Sequence, residues 1–320
     1  MTGFSAASPR ALLEKAWIWS FLGAFSVWLA AVIFASGQGA AEMLVAALSF
    51  STFFVIVGIG QMFVITTGPG NVDLSIPANI ALSGAVAMKI MATDNSMIAV
   101  GLIAALAAGT GVGMFNYALI RILRIPPIIA TLSASFLVQS CAIAYGRGLR
   151  IKPPPVFADF TTATLMGVPV LAIIAVIFAI VMGVVLNRTF YGRSVIAVGQ
   201  NMRAAWLAGV NVGLTRFLVY TLSGLFAGLC GALLAGFSGG ASLNMGEEYL
   251  LASIAVVVIG GTSVAGGKAN VPGIWGAAMF LFLLLTMLNT FGAGAGVRLV
   301  MTGLIIIAVI TVAGGDKPVR

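Results

Sequence analysis

The sequence predicts an all-α integral membrane protein of about ten transmembrane helices, in a single domain spanning residues 1–320. Three observations predict it. Apolar residues make up 61% of the chain and charged residues only 8%, against roughly 25% charged in soluble proteins. Apolar runs of about 20 residues, enough to cross a hydrocarbon core of about 30 Å, recur from end to end. The chain also holds 40 glycines, which let membrane helices approach closely where no hydrophobic force holds them together. In lipid the spans must be helices, because helices satisfy their own backbone polar groups.

The first run, Trp17 to Ala35, predicts a span over 16–36. It is too long for the apolar part of a signal peptide and lacks a cleavage pattern. The second span covers 44–66 and stops where Gly68, Pro69 and Gly70 break the chain. Asp73 or Ser75 can cap the start of the third, 74–92, with Pro77 tolerated in its first turn. A carboxylate there also complements the helix dipole. Spans over 96–120 and 126–145 follow. The outer loop, 146–167, contains Pro153-Pro154-Pro155 and is expected to form an extended, non-helical cap.

The sixth span covers 168–187, and an inner loop, 187–215, separates it from the seventh, 216–238. Residues 200–210 of that loop read as a short amphipathic helix, with Asn201 capping its start and Gly209 ending it. A helix outside the membrane suits the lipid surface or a groove in another protein. The eighth span, 249–265, is short and rich in small residues, like the third. Asn244-Met245-Gly246-Glu247-Glu248 precedes it, at the opposite side of the membrane from the Asp73 segment. The two short spans hint at an inverted repeat of two five-helix halves. Spans over 272–290 and 297–314 complete the count, and an eight-span arrangement that fuses short neighbours stays open.

Charge orients the chain. With the N-terminus inside, Arg10, Lys15, Arg121, Arg124, Arg188, Arg193, Arg203, Arg216, Lys268, Lys317 and Arg320 are cytoplasmic. Only Arg147, Arg150 and Lys152 lie outside, while Lys89 and Arg298 sit near outer helix ends where they can snorkel. The bias predicts both termini inside. The net charge of +8 is this loop bias, so the expected partner is the lipid bilayer and not nucleic acid. Of the acids, Glu42, Asp94, Asp159, Glu247 and Glu248 face outside and Glu14, Asp73 and Asp316 inside. The outer acids are ordinary solvation or a docking surface.

No catalytic machinery is recognisable. The chain has no histidine, which removes the commonest general base, proton relay and metal ligand. Cys141 and Cys230 offer neither metal spacing nor a disulfide framework and read as small buried hydrophobes. Thr262 to Ala269 superficially follows a phosphate loop, but it lacks the first glycine, and Ala269 stands where Ser or Thr must hold magnesium. Asp73 is the one acid near an apolar run, a poor endowment for a proton- or sodium-driven carrier. Uphill work would need another subunit, and the chain itself is expected to bind no cofactor.

Four stretches together carry a family resemblance: Gly70-Asn71-Val72-Asp73-Leu74-Ser75; Ile125-Pro126-Pro127 to Thr131-Leu132; Tyr191-Gly192-Arg193 through Gln200-Asn201 to Gly209-Val210; and Ile254 to Gly267. In these the chain resembles the membrane permease subunit of ribose-type, monosaccharide-importing ABC transporters of bacteria. The resemblance implies a multi-pass protein of the inner (cytoplasmic) membrane. It implies a homodimeric permease, a cytoplasmic ATPase partner that carries ATP and Mg, and a periplasmic solute-binding protein. The helix holding Asn201, Arg203, Ala204, Ala205, Ala208 and Gly209 would couple to the ATPase. Polar residues on apolar spans are Gln61, Asn79, Asn116, Ser133, Gln139, Asn289 and Thr302. Each can serve an interhelical hydrogen bond; Gln61, Asn79 and Asn289 are the candidates for the translocation pathway. Asp159, Glu247 and Glu248 are the candidates for docking the binding protein. The segments Pro69 to Val72 and Ser75 to Ala78 depart from the family's pattern, so the solute stays open. The alternatives are a branched-chain amino-acid or nucleoside permease, or an ATP-independent carrier or channel.

Overall fold

A computed structural model describes residues 16–147 and 151–290, together with 294, 296, 297, 300, 301, 303, 304 and 307. Its helices are α1 (Ala16–Phe34), α2 (Ala40–Thr66), α3 (Ile76–Met91), α4 (Ile98–Ile122), α5 (Pro127–Gly146), α6 (Pro155–Thr162), α7 (Val170–Arg188), α8 (Phe190–Gln200), α9 (Met202–Leu207), α10 (Val212–Phe237), α11 (Tyr249–Ile259) and α12 (Val271–Thr290). A two-residue hairpin, β1 (Thr164–Leu165) paired with β2 (Val168–Pro169), precedes α7. The all-α expectation holds. Among the described residues seven helices are long and apolar enough to cross a membrane, and α3 and α11 are shorter apolar helices. The expected tenth span falls largely outside the described residues, as do Thr302 and the side chain of Asn289.

The core is built around α2 and α10. Every residue of α2 from Ser51 to Thr66 is buried, so this helix has no lipid face over that length. It touches α7, α10, α11 and α12, while α10 packs on α3 and α4 and α1 lies along α12. Lipid-facing surfaces belong to the outer helices. On α7, Ile177, Ile180 and Val184 are exposed; on α5, Ile129, Phe136 and Leu137. Such apolar faces suit hydrocarbon and would be a liability in water. Cys230 is buried as expected, but Cys141 is exposed, because it lies on this outward face of α5.

Small residues decide where backbones cross. Gly109 and Gly113 on α4 meet Gly224 and Gly228 on α10 at the four-residue spacing that lets two helices touch. A Cβ built on Gly109 would lie 2.5 Å from the Gly224 carbonyl oxygen.

Two loops differ from expectation. The outer loop is not an extended cap, since α6 occupies much of it. Pro154 takes an extended conformation and Pro155 stands in the first turn, where a missing amide hydrogen costs nothing. Phe157 and Thr161, one turn apart, are then buried against Gly236. The inner loop is mostly helical and holds two helices, not one. The break falls at Asn201, whose extended backbone (φ −158°) ends α8 and starts α9. The eighth span also ends early, at Ile259, where Gly260 packs directly on Gly273 at the start of α12.

Candidate functional site

The depth of α3 follows from one side chain. Asn79, in its first turns, donates its amide hydrogens to the carbonyls of Gly109 (3.3 Å) and Gly224 (3.0 Å). Both glycines lie near the midpoints of full-length spans. Ser83 donates to Asn79 Oδ1 at 2.9 Å, which completes the amide. Thus α3 begins deep in the bundle, and with 16 residues it reaches only about 24 Å. Gly246, before α11, packs on the backbone of Pro77 in the first turn of α3. Two broken helices therefore start side by side in the interior. Non-helical backbone at that depth is tolerated only when protein buries and satisfies it.

The loop from Thr67 to Ser75 meets that condition. Asp73 is 2% exposed, and its carboxylate accepts four hydrogen bonds. On Oδ1 these come from the Ser75 amide (3.0 Å), the Ser75 hydroxyl (2.6 Å) and Asn116 Nδ2 (3.2 Å); on Oδ2 from the Ser223 hydroxyl (2.7 Å). The Asp73–Ser75 contact is an Asx-type turn just ahead of α3, and the expected side-chain cap is not made, since the N-cap residue Ser75 holds no amide of the first turn. The Asp73 amide donates to Gln61 Oε1 (3.1 Å) and the Leu74 amide to Thr131 Oγ1 (3.1 Å). Arg216 Nη2 (2.9 Å) and the Tyr220 hydroxyl (3.3 Å) both donate to Asn71 Oδ1. Side chains of α2, α4, α5 and α10 thus hold one loop.

Gln61 and Asn79 are fully enclosed by the chain's own helices, as is Asn116. Gln139 donates to the Leu243 carbonyl at 3.2 Å, and Ser133 is exposed on α5. Sequence reasoning missed Asn71, Ser223 and Tyr220. The available signal was the rule that an acid inside a membrane needs named donors nearby.

Where the loop leaves α2, the end of α8 leads into the α8–α9 elbow. Asn201 Oδ1 accepts the Ala204 amide (2.9 Å), and Gly209 (φ +85°) closes the helix with Val210 N donating to the Ala205 carbonyl (3.0 Å). Arg203, Ala204, Ala208 and Gly209 are exposed, whereas Ala205 is buried. The most exposed apolar side chains of α9 are Trp206 and Leu207, at 65% and 71%, followed by Met202. Just before the elbow, Gly199 packs on the Thr66 carbonyl, which also accepts the Gly267 amide at 2.9 Å. The Gly266-Gly267 turn of the rejected phosphate-loop pattern, in the loop between α11 and α12, is a backbone joint with the ends of α2 and α8.

The acids separate. Asp159 is exposed on α6, shortly before the β1–β2 hairpin. Glu247 and Glu248 are exposed at the start of α11, beside Gly246 and hence beside the start of α3. Outside the spans, Asp94 accepts the Ser96 amide at 2.8 Å, and this hydrogen bond holds its carboxyl below the usual range.

Residues 43–310 match the family described as branched-chain amino acid transport system / permease component. The chain is 32% identical to the ribose import permease protein of Escherichia coli (strain K12) over 263 residues, 80% of this chain and 81% of the relative. It is 33% identical to the ribose import permease protein of Bacillus subtilis (strain 168), over 79% and 78% of the two chains. A D-allose transport system permease protein of E. coli K12 is 26% identical over 96% of this chain and 95% of the relative. No solved structure matches the chain.

Proposed function

Because the chain belongs to the family of branched-chain amino acid transport system permease components, a multi-pass family of the inner membrane, we propose that it is the transmembrane subunit of a bacterial importer driven by ATP on a partner. The solute we propose is a monosaccharide. Ribose and D-allose permeases cover most or nearly all of this chain, and a sugar needs the polar lining that a broken-helix interior can offer. A branched-chain amino acid is the second reading, favoured by the family description.

The observation that carries the proposal is α9, a capped helix that bares Trp206 and Leu207 to solvent. Such a helix is an anchor for a groove in another protein. Asn201, Arg203, Ala204, Ala208 and Gly209 belong to this coupling element, with Ala205 packing it to the body. ATP with Mg closes the partner's subunits, α9 moves with them, and the Gly199–Thr66–Gly267 joint carries that motion toward both broken helices. A second copy of the chain completes the pathway. The arrangement we propose has ten spans, both termini inside and inverted halves, with α3 and α11 as equivalent broken helices. Gln61, Asn79 and Asn116 brace the pathway wall, Asn289 lies on the following span, and Glu247 and Glu248 border the point where the broken helices meet. Asp159 is the acid best suited to receive a binding protein from outside.

The test is a pull-down of the tagged chain from its native membranes in mild detergent, with and without gentle crosslinking. Recovery of an ATPase supports the importer, and a co-purified binding protein can be screened against ribose, D-allose and leucine. A clean preparation lacking any ATPase under crosslinking would favour an ATP-independent carrier or channel.

A further inference from the structure

Between the end of α4, the elbow helix α9 and the start of α10 lies a cavity of about 590 Å³. We infer that it is a binding site for an anionic phosphate group, supplied by a lipid headgroup or by a free phosphate. Two of its lining residues are Arg121 and Arg216, and no acid is among them. Arg121 is exposed and has room to turn toward a ligand. Arg216 is half-buried and oriented by the bond from its Nη2 to Asn71. A planar guanidinium pairs well with phosphate oxygens. The positive end of the long helix α10 opens on the same space, and Asn211 caps only part of it through Leu214.

The remaining wall is amphipathic. Tyr117 lines it, with its hydroxyl fixed on the Gly213 carbonyl at 2.8 Å, and Met202, Trp206 and Val210 supply apolar surface. Ile122 and Leu123, which directly follow Arg121, are exposed to the surroundings. Basic pockets of this kind at the cytoplasmic side of a helix bundle suit phospholipid headgroups. Because Arg216 also holds Asn71, an occupant would stiffen the loop that carries Asp73. The inference rests on the chain crossing a membrane with α9 on the cytoplasmic side, as proposed above, and not on what it transports, so its failure leaves the importer reading standing.

The full chain, purified in dodecyl maltoside, is mixed with dioleoylphosphatidylglycerol or dioleoylphosphatidylcholine, and retained lipid is counted by native mass spectrometry. Thermal unfolding is followed in parallel with inorganic phosphate. We expect preferential retention of phosphatidylglycerol, whose phosphate charge no choline offsets, weakened roughly tenfold by Arg121→Gln. Arg121 is exposed and outside the Asp73 network, so this variant should fold; Arg216→Gln provides a second reading. Stabilisation by inorganic phosphate, lost in Arg121→Gln and without lipid preference, would support the site with a free anion as its ligand. If wild type and both variants respond alike to both probes, or to neither, the cavity is filled otherwise, for example by a partner's carboxylate, and the inference is overturned.

Discussion

Asp73 shows how one residue type was legible and its weight was not. A cap at the start of a helix is readable from Asp-Leu-Ser-Ile-Pro, and removing a cap alone costs about 0.5–2 kcal/mol. The structure adds donors from two distant helices, Asn116 and Ser223, to the same carboxylate. Each buried donor left unpaired adds about 1–3 kcal/mol. Asp73→Ala should therefore lower the unfolding temperature of the purified chain clearly more than Ser223→Ala, which removes a single bond. Equal shifts for the two variants would reduce Asp73 to an ordinary turn residue. The partners could not be foreseen because Asn116 and Ser223 lie 43 and 150 positions away in the chain. Only the crossing of α4 and α10 brings them together.

At the scale of elements, the closest approach of two helices is testable by one methyl group. Gly109→Ala would press a methyl group onto the Gly224 carbonyl and force α4 from α10, at a cost of about 1–3 kcal/mol. Gly111→Ala is the control, since a Cβ there meets nothing within 4 Å. It should be neutral, or stabilising by up to about 1 kcal/mol from helix propensity. Thermal unfolding of the two variants side by side decides whether the glycines act through packing. The elbow offers a second pair. Leu207→Arg changes an exposed side chain and should spare folding while lowering recovery of the partner ATPase severalfold. Ala205→Arg introduces bulk at a buried position and should lower the yield of folded chain as well. The position of the elbow was readable from its cap and glycine. Which of its residues face outward was not, because a helix of six residues has too few turns to declare a face by periodicity.

At the scale of the whole molecule, the proposed orientation predicts which side of the membrane each segment meets. With Cys141 replaced by serine to remove the exposed thiol, Arg203→Cys should react with an impermeant maleimide only in inside-out vesicles. Asp159→Cys should react only in right-side-out vesicles. Labelling of both from the same side would refute the arrangement with both termini inside.

Composition alone determined that this chain lives in a membrane as helices, because a surface with 8% charge cannot be solvated by water and lipid leaves backbone groups no other partner. Local chemistry determined the breaks after α2 and before α11 and the cap of α9, since glycine, proline and Asx side chains act within a few residues. Tertiary structure decided that the two short helices begin together in the interior, that α6 folds in the outer loop, and that four helices converge on one loop. Those outcomes depend on pairings between residues far apart in sequence, such as Asn79 with Gly224 and Pro77 with Gly246. In a chain apolar on nearly every face, periodicity carries little information about which faces meet, and close packing of small residues makes the choice.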